Sequence, residues 1–292
     1  MVSFIIVFVV GFSFASMGRV HEKVNEARSH LRELGVKRPD EIVVFKKPPE
    51  GEPLYLSLFR PEGGAKGATI IFFHGGGWLG GNPKQFFPHC NWLASNGYGC
   101  ISASYRTAHE YGTSPLHAVE DANDAFRYVQ SHQESLGFDS SYLFAGGGSA
   151  GGHLATSLVT YSGHNISPVS PAGLVLFNPV IDNSSDGYGY ERVKFLGDEF
   201  SPIKSIVSDF PPTLILSGSD DVIVPAETIY RFSEKLSDKN VATSVKIYSG
   251  AKHGFFNKDP FFVDAMHEIS DFLERVIGGT ETRMATGQPR AI

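Results

Sequence analysis

After Phe73, short apolar runs alternate along the chain with longer runs in which apolar residues recur at helical spacing. This alternation is typical of a mostly parallel sheet with helices on both of its faces. Three β-rich runs precede the alternating part of the chain. Together with them, the pattern predicts eight strands, at 42–46, 53–60, 68–73, 98–104, 142–145, 173–177, 213–217 and 244–248. It predicts helices at 84–95, 115–132, 150–160, 225–236 and 260–277. The predicted fold class is therefore α/β.

One domain accounts for most of the 292 residues, because folds with a large sheet often use this length for a single unit. With 41% hydrophobic and 19% charged residues, the composition excludes a disordered chain and a coiled coil. We expect the domain at 16–279 and a disordered tail at 280–292. No periodic run appears at 178–212, and a long loop in a compact domain predicts a lid or binding segment.

The amino terminus predicts a signal peptide at 1–15. Residues 4–14 are nearly all apolar, too few for a membrane span, and Ser13 and Ala15 supply the small residues of a cleavage site. The protein is then secreted or periplasmic. No Lys or Arg precedes the apolar run, so a hydrophobic terminal strand in a cytoplasmic protein is the alternative. A short helix is expected to follow at 20–34.

Charge and cysteine content narrow the possible partners. The net charge is −6, which disfavours nucleic acid as a partner.

Cys90 falls on a predicted helix and Cys100 on the next strand. A helix lies about 10 Å above a sheet, so we expect the two Cα atoms to lie beyond the roughly 7 Å limit for a disulfide and both thiols to be free.

The run from Gly146 to Gly152 lies between a predicted strand and a predicted helix. Its Gly-x-Ser-x-Gly pattern, with Ser149 at the centre, is that of a nucleophile elbow, a tight turn that exposes the serine. The run also fits a Gly-x-Gly-x-x-Gly dinucleotide-binding pattern, and a plain glycine-rich turn is a third interpretation. Dinucleotide binding requires an acidic residue about 20 positions later, but the next one, Asp182, is 31 positions after Gly151.

Three other loops supply what a nucleophilic serine requires. The His-Gly-Gly-Gly-Trp sequence at 74–78 follows a strand, and its unobstructed N–H groups can stabilise an oxyanion. Asp220 and Asp221 follow the strand at 213–217, and His253 follows the last strand. The order serine, acid, histidine is that of α/β-hydrolases.

Together these motifs resemble the α/β-hydrolase family, in particular the carboxylesterases and acetyl esterases related to hormone-sensitive lipase. The likeness spans residues 53–277. It implies an α/β-hydrolase fold with a short lid loop, Ser149 as nucleophile and His253 as base. It further implies that N–H groups of Gly76, Gly77 and Ala150 form the oxyanion hole.

The resemblance also selects between the adjacent acids. In the family the acid is the fourth residue of a Gly-x-x-Asp run. A Val stands three residues after this acid, and a Pro follows the Val directly. Asp221 meets both spacings and Asp220 meets neither, so Asp221 is predicted to orient His253.

One position departs from the lipase-like pattern. That group has Asp before the nucleophile, where this chain has Gly148. The sequence after Ser149 looks more like bacterial acetyl and feruloyl esterases, which disfavours a large amino-terminal cap. Trp78, Tyr188 and Phe255 are the expected substrate-binding residues.

The predicted function is a serine carboxylesterase that cleaves short acyl esters through an acyl-enzyme. Its expected partner is a small-molecule or carbohydrate ester, such as an acetylated sugar, and neither a metal nor another cofactor is expected. A peptidase or acyl transferase on the same triad is one alternative, because a triad does not fix the leaving group. A non-catalytic small-molecule receptor with the same fold is the other.

Overall fold

A computed structural model of the chain describes residues 37–138 and 141–280. The predicted signal peptide at 1–15, the helix at 20–34 and all of the tail at 280–292 except Thr280 lie outside the described residues. The architecture below is that of the described residues from Pro39 onward. In the part of the chain that is described, no helix is both long and apolar enough to cross a membrane.

A single eight-stranded sheet forms the centre of the fold, and all eight predicted strands are present. The strands are β1 (Glu41–Lys46), β2 (Leu54–Phe59), β3 (Ala68–Phe73), β4 (Gly99–Ala103), β5 (Tyr142–Gly148), β6 (Leu174–Phe177), β7 (Thr213–Gly218) and β8 (Thr243–Tyr248). Their order is β1-β2-β4-β3-β5-β6-β7-β8. β2 pairs antiparallel with β1 and β4, and every other pair is parallel.

Helices cover both faces of the sheet, because the central strands are apolar on both sides. They are α1 (Phe87–Ser95), α2 (Ala108–Tyr111), α3 (Pro115–His132), α4 (Ala150–Thr160), α5 (Tyr190–Val193), α6 (Ala226–Asp238) and α7 (Phe261–Ile277). Helices α3, α4 and α6 share one hydrophobic core, to which β3 contributes Ile71 and Phe73. The intervening residue Phe72 points to the opposite face of the sheet, where it stacks on Phe86, the residue just before α1, with ring centroids 4.5 Å apart.

The segment 178–212 has more structure than the predicted lid loop. It contains α5 and three short 3₁₀ turns, at Lys194–Leu196, Asp198–Phe200 and Pro202–Lys204. Each of these elements buries an apolar residue, namely Val193, Leu196, Phe200 and Ile203. His153 of α4 also bonds through Nε2 to the carbonyl oxygen of Phe200, at 2.9 Å. Each of these elements spans only three or four residues, which is too short to produce a periodic pattern of apolar residues in the sequence.

The prediction of two free thiols is wrong. Cys90 and Cys100 form a disulfide, and their Cα atoms are 5.0 Å apart. The 10 Å spacing is the distance from the helix axis to the sheet. Cα atoms on the side of the helix that faces the sheet lie about 2.3 Å closer to the sheet than the axis does. Only the short turn between α1 and β4 separates the two elements, so the helix end also converges on the start of the strand.

Candidate active site

Strands β3 to β8 are parallel, so the loops that follow them meet at one edge of the sheet. This arrangement brings together residues that are far apart in sequence. Ser149 follows β5, Asn178 follows β6, Asp221 follows β7 and His253 follows β8, while the glycine loop at 74–78 follows β3. The candidate active site lies at this edge.

Ser149 is held in a strained turn between β5 and α4. Its φ of 55° and ψ of −118° lie where few non-glycine residues are found. Its N–H donates to Phe177 O, and its carbonyl oxygen accepts from the N–H groups of His153 and Val180. The neighbouring helix lies so close that a Cβ on Gly151 would overlap the carbonyl oxygen of Phe73. Position 151 therefore requires glycine, because a side chain there would prevent the close approach of the helix to the strand β3.

His253 links the serine to an acid. Its Nε2 lies 2.9 Å from Ser149 Oγ, and its Nδ1 lies 2.7 Å from Asp221 Oδ2. Both distances are within hydrogen-bonding range. The structure thus brings the three predicted catalytic residues into one chain of hydrogen bonds in the order that nucleophilic catalysis requires.

Asp221 is buried and multiply hydrogen-bonded, whereas Asp220 is exposed. Besides His253, the carboxylate accepts from the N–H groups of Ile223 at 2.9 Å and Val224 at 3.0 Å. Burial by itself raises the pKa of Asp221, but the hydrogen bonds from His253 and these N–H groups outweigh it and hold the pKa below its usual value. Asp221 therefore remains ionised at neutral pH. Asp220 instead accepts from its neighbour Ser219, at 2.8 Å.

The loop of the acid and the loop of the histidine are tied together. Asp220 N donates to Ala251 O at 2.9 Å, and Gly250 N donates to Ser219 Oγ at 2.8 Å. These contacts fix the separation of Asp221 and His253 independently of the bond between their side chains.

The glycine loop lies beside Ser149. A Cβ on Gly75 would be 3.5 Å from Ser149 Cβ. Gly76, Gly77 and Trp78 all have positive φ, at 128°, 62° and 61°. Among the described residues, none accepts a hydrogen bond from the N–H of Gly76, Gly77 or Ala150. These three predicted oxyanion donors are thus free to bind a ligand next to the serine.

The three residues predicted to bind substrate have different environments. Trp78 is only 1% exposed and packs in the core against His153, with ring centroids 5.0 Å apart. Phe255 is 6% exposed and packs against Tyr248 and Phe261. Both side chains are largely covered by other residues, and their role in substrate binding stays a prediction. Tyr188 is partly exposed, and its hydroxyl reaches the glycine loop, since a Cβ on Gly77 would lie 2.5 Å from it.

Asn178 is a site residue that the sequence analysis does not identify. It is fully buried at the end of β6 with a φ of 35°. Its Nδ2 lies 3.4 Å from His253 Nε2, and its Oδ1 accepts from Gly254 N at 3.4 Å. Asn178 is the first residue of the aperiodic segment 178–212 and belongs to no motif. The only sequence signal is its place directly after β6, the strand between those that precede Ser149 and Asp221.

No group of three His, Cys, Asp or Glu side chains arranged to hold a metal occurs in the described ranges. The described site contains a nucleophile, a base with its orienting acid, and free N–H donors. This arrangement can attack a carbonyl carbon and stabilise the resulting oxyanion.

Comparison with protein families gives two matches. Residues 70–199 match the family described as alpha/beta hydrolase fold, and residues 191–277 match the dienelactone hydrolase family. The chain is also similar to an esterase, Est2, from the planctomycete Thermogutta terrifontis, solved with propionate bound. The two are 31% identical with a TM-score of 0.74, over 82% of this chain and 94% of that one.

Two further relatives are similar at lower identity. An ethyl acetate hydrolase from Pseudomonas putida is 27% identical over 244 residues, which is 74% of this chain and 76% of the relative. An acetylxylan esterase from Xylanibacter ruminicola is 27% identical over 214 residues, 68% of this chain and 43% of the relative.

Proposed function

Since the chain belongs to the α/β-hydrolase family and is a carboxylic ester hydrolase, we propose that it cleaves esters of short acyl chains, including acetyl groups on carbohydrate, with Ser149 as nucleophile. The observation that carries the proposal is the pair of contacts made by His253, 2.9 Å to Ser149 Oγ and 2.7 Å to Asp221 Oδ2.

The reaction proceeds in two steps. Ser149 Oγ attacks the ester carbonyl carbon while His253 Nε2 takes the hydroxyl proton, and the carbonyl oxygen becomes an oxyanion that accepts from Gly76, Gly77 and Ala150 N–H groups. The intermediate collapses, the alkoxide takes the proton from His253, and the acyl group remains on Ser149. Water then attacks the acyl-enzyme with His253 again as base. The carboxylic acid leaves, and the proton returns to Oγ.

Asp221 stabilises the imidazolium that forms in each step. Its depressed pKa means that it is already charged when the proton reaches His253, so no carboxylate needs to ionise during the reaction. Its bond to Nδ1 also fixes the tautomer in which Nε2 is free to accept the proton of Ser149.

Two features support a short acyl group. The apolar side chains of the segment 178–212 mostly face the core, and Phe195 is the one large apolar residue in the described part of that segment that is well exposed. Long-chain lipases present a broader apolar surface. The relatives named above act on ethyl acetate or acetylxylan or bind propionate.

Replacement of the nucleophile tests the role of Ser149. We expect Ser149→Ala to lower kcat on p-nitrophenyl acetate by about 10⁶, to the level left by the oxyanion hole and binding. A serine-directed fluorophosphonate should label the wild-type protein at Ser149 and fail to label the variant. Retention of a tenth of the activity would refute the assignment, and a wild type that neither turns over nor labels would favour the receptor alternative.

A panel of esters tests the substrate class. We expect kcat/KM to be highest for p-nitrophenyl esters with two to four acyl carbons, and acetate release from acetylated xylan to exceed that from an acetylated amine. Faster hydrolysis of a C12 ester below its solubility limit would contradict the short-chain proposal. Preference for a matched anilide over the ester would indicate a peptidase, and acyl transfer to an added alcohol in preference to water would indicate a transferase.

We also propose export from the cytoplasm. The Cys90–Cys100 disulfide supports this location, because such bonds persist in oxidising compartments. Expression of the full chain in a secreting host should yield an extracellular or periplasmic protein that begins after Ala15 and resists thiol alkylation unless reduced. A cytoplasmic protein with an intact amino terminus would refute the proposal.

A further inference from the structure

Arg192, in helix α5, contacts the glycine loop beside Ser149. Its Nη1 donates to the carbonyl oxygen of Gly77 at 3.1 Å. The guanidinium carbon lies 5.7 Å from the centre of the Tyr188 ring, and the hydroxyl of that ring rests against Gly77. Gly77 is therefore contacted by two side chains from the segment 178–212.

The glycine loop needs an external support of this kind. Glycine has a wide choice of backbone conformations, so the orientation of the Gly76 and Gly77 peptides is not fixed by their own side chains. The carbonyl of Gly76 accepts from Leu79 N and Gly80 N, at 3.0 Å and 3.2 Å. In the described structure, the carbonyl of Gly77 is held by Arg192, through a charge-assisted bond that is stronger than a neutral one.

The segment that carries Arg192 is itself held in place by a series of contacts. Tyr188 N donates to Asp182 O at 3.0 Å, and Tyr188 O accepts from the buried Asn183 amide at 2.8 Å. Asp182 is paired with Arg231 of α6 at 2.9 Å. The next residue after Arg192, Val193, is buried in the core. The guanidinium is thus presented to the loop by an anchored segment.

The charge of Arg192 is not neutralised by an acid within the described residues, where its side-chain hydrogen bond is the one to Gly77. A cation one peptide away from the oxyanion donors favours the negatively charged intermediate over the neutral ester. An effect of this kind changes kcat more than substrate binding.

We propose that Arg192 is a positioning residue for ester hydrolysis: it holds the Gly77–Trp78 peptide, which adjoins the Gly76–Gly77 peptide that carries the Gly77 N–H donor, so that the loop keeps its donors in place, and it adds positive charge beside them. The inference rests on the proposed function, because it takes the loop of Gly76 and Gly77 as part of the oxyanion hole.

The test compares Arg192→Met, which keeps the apolar stem, with Arg192→Lys, which keeps a charged donor. The matched control is Lys194→Ala in the adjacent turn, because Lys194 is exposed and pairs with Glu191. We expect R192M to lower kcat on p-nitrophenyl acetate about tenfold to a hundredfold, less than loss of a whole oxyanion donor, with KM changed less than twofold. R192K should recover most of the loss, and K194A should match the wild type.

Two further readouts separate positioning from a general structural effect. The affinity of a trifluoromethyl ketone, which forms an oxyanion on Ser149, should fall by the same factor as kcat/KM. Deuterium exchange of the peptide containing 74–80 should accelerate in R192M and remain unchanged in K194A. If R192M does not fold, Arg192→Gln, which lacks the charge, takes its place.

Unchanged kcat and unchanged exchange in R192M would overturn the inference while leaving the function intact, and so would equal losses in R192M and R192K. Failure of the function would be seen separately, as activity that survives Ser149→Ala. The exchange measurement does not depend on turnover and therefore decides whether Arg192 holds the loop even in that case.

Discussion

Asp220 and Asp221 are neighbours in the loop after β7, but their side chains have different partners. Asp221 is 4% exposed and bonds to His253 and two backbone N–H groups. Asp220 is exposed and bonds to Ser219. Successive side chains in an extended loop point in opposite directions, so one of the two carboxylates can reach the histidine.

We therefore expect Asp221→Asn to lower kcat by about 10⁴, because the amide no longer holds His253 in the required tautomer. Asp220→Asn should cost no more than about tenfold. Both variants would be assayed on p-nitrophenyl acetate after their melting temperatures have been shown to match. The reverse ranking would assign the acid role to Asp220.

At the scale of elements, the position of the nucleophile depends on how closely α4 approaches β3. Gly147 and Gly151 make this approach possible, since a Cβ on Gly147 would overlap the backbone of Gly151, and one on Gly151 would overlap Phe73 O. The helix then places Ser149 within reach of His253, at 2.9 Å.

We expect Gly151→Ala to destabilise the fold by about 3 kcal/mol and to lower kcat strongly, because the helix must move away from the strand. Gly64→Ala is the control, because a Cβ there meets nothing within 4 Å. Thermal or urea unfolding and ester hydrolysis measure the two effects. Wild-type stability and activity in Gly151→Ala would show that the approach is not required.

At the scale of the whole molecule, three buried histidines make stability depend on pH. Burial lowers the pKa of His74 and of His153 to about 4 and that of His89 to about 3. Below about pH 6.5 the unfolded chain binds protons at these positions while the folded chain does not. The neutral forms are thus favoured in the folded state, and acid shifts the equilibrium toward unfolding.

The free energy of unfolding should therefore fall between about pH 6.5 and 5, with a slope of up to about 1.4 kcal/mol per pH unit for each of these histidines. Urea unfolding over this range measures the slope. His89→Asn should reduce it by the contribution of one proton, whereas His109→Gln, at an exposed position, should leave it unchanged. A slope equal in wild type and His89→Asn would contradict the assignment.

Local sequence determined the strands, most of the helices and the residues that meet at the sheet edge. Strand and helix periods, together with the glycines around Ser149, are properties of neighbouring residues, and parallel strands place their following loops together. These properties placed Ser149, the adjacent acids Asp220 and Asp221, and His253 at one edge of the sheet, and the resemblance to α/β-hydrolases then selected Asp221 as the acid.

Tertiary structure alone decided which distant side chains touch. The bridge between Cys90 and Cys100 depends on how α1 converges on β4, and the burial of Trp78 depends on packing against α4. The contacts of Asn178 with His253 and of Arg192 with Gly77 join residues 75 and 115 positions apart. Such contacts are set by packing of whole elements to within an ångström, which periodicity and motif spacing do not encode.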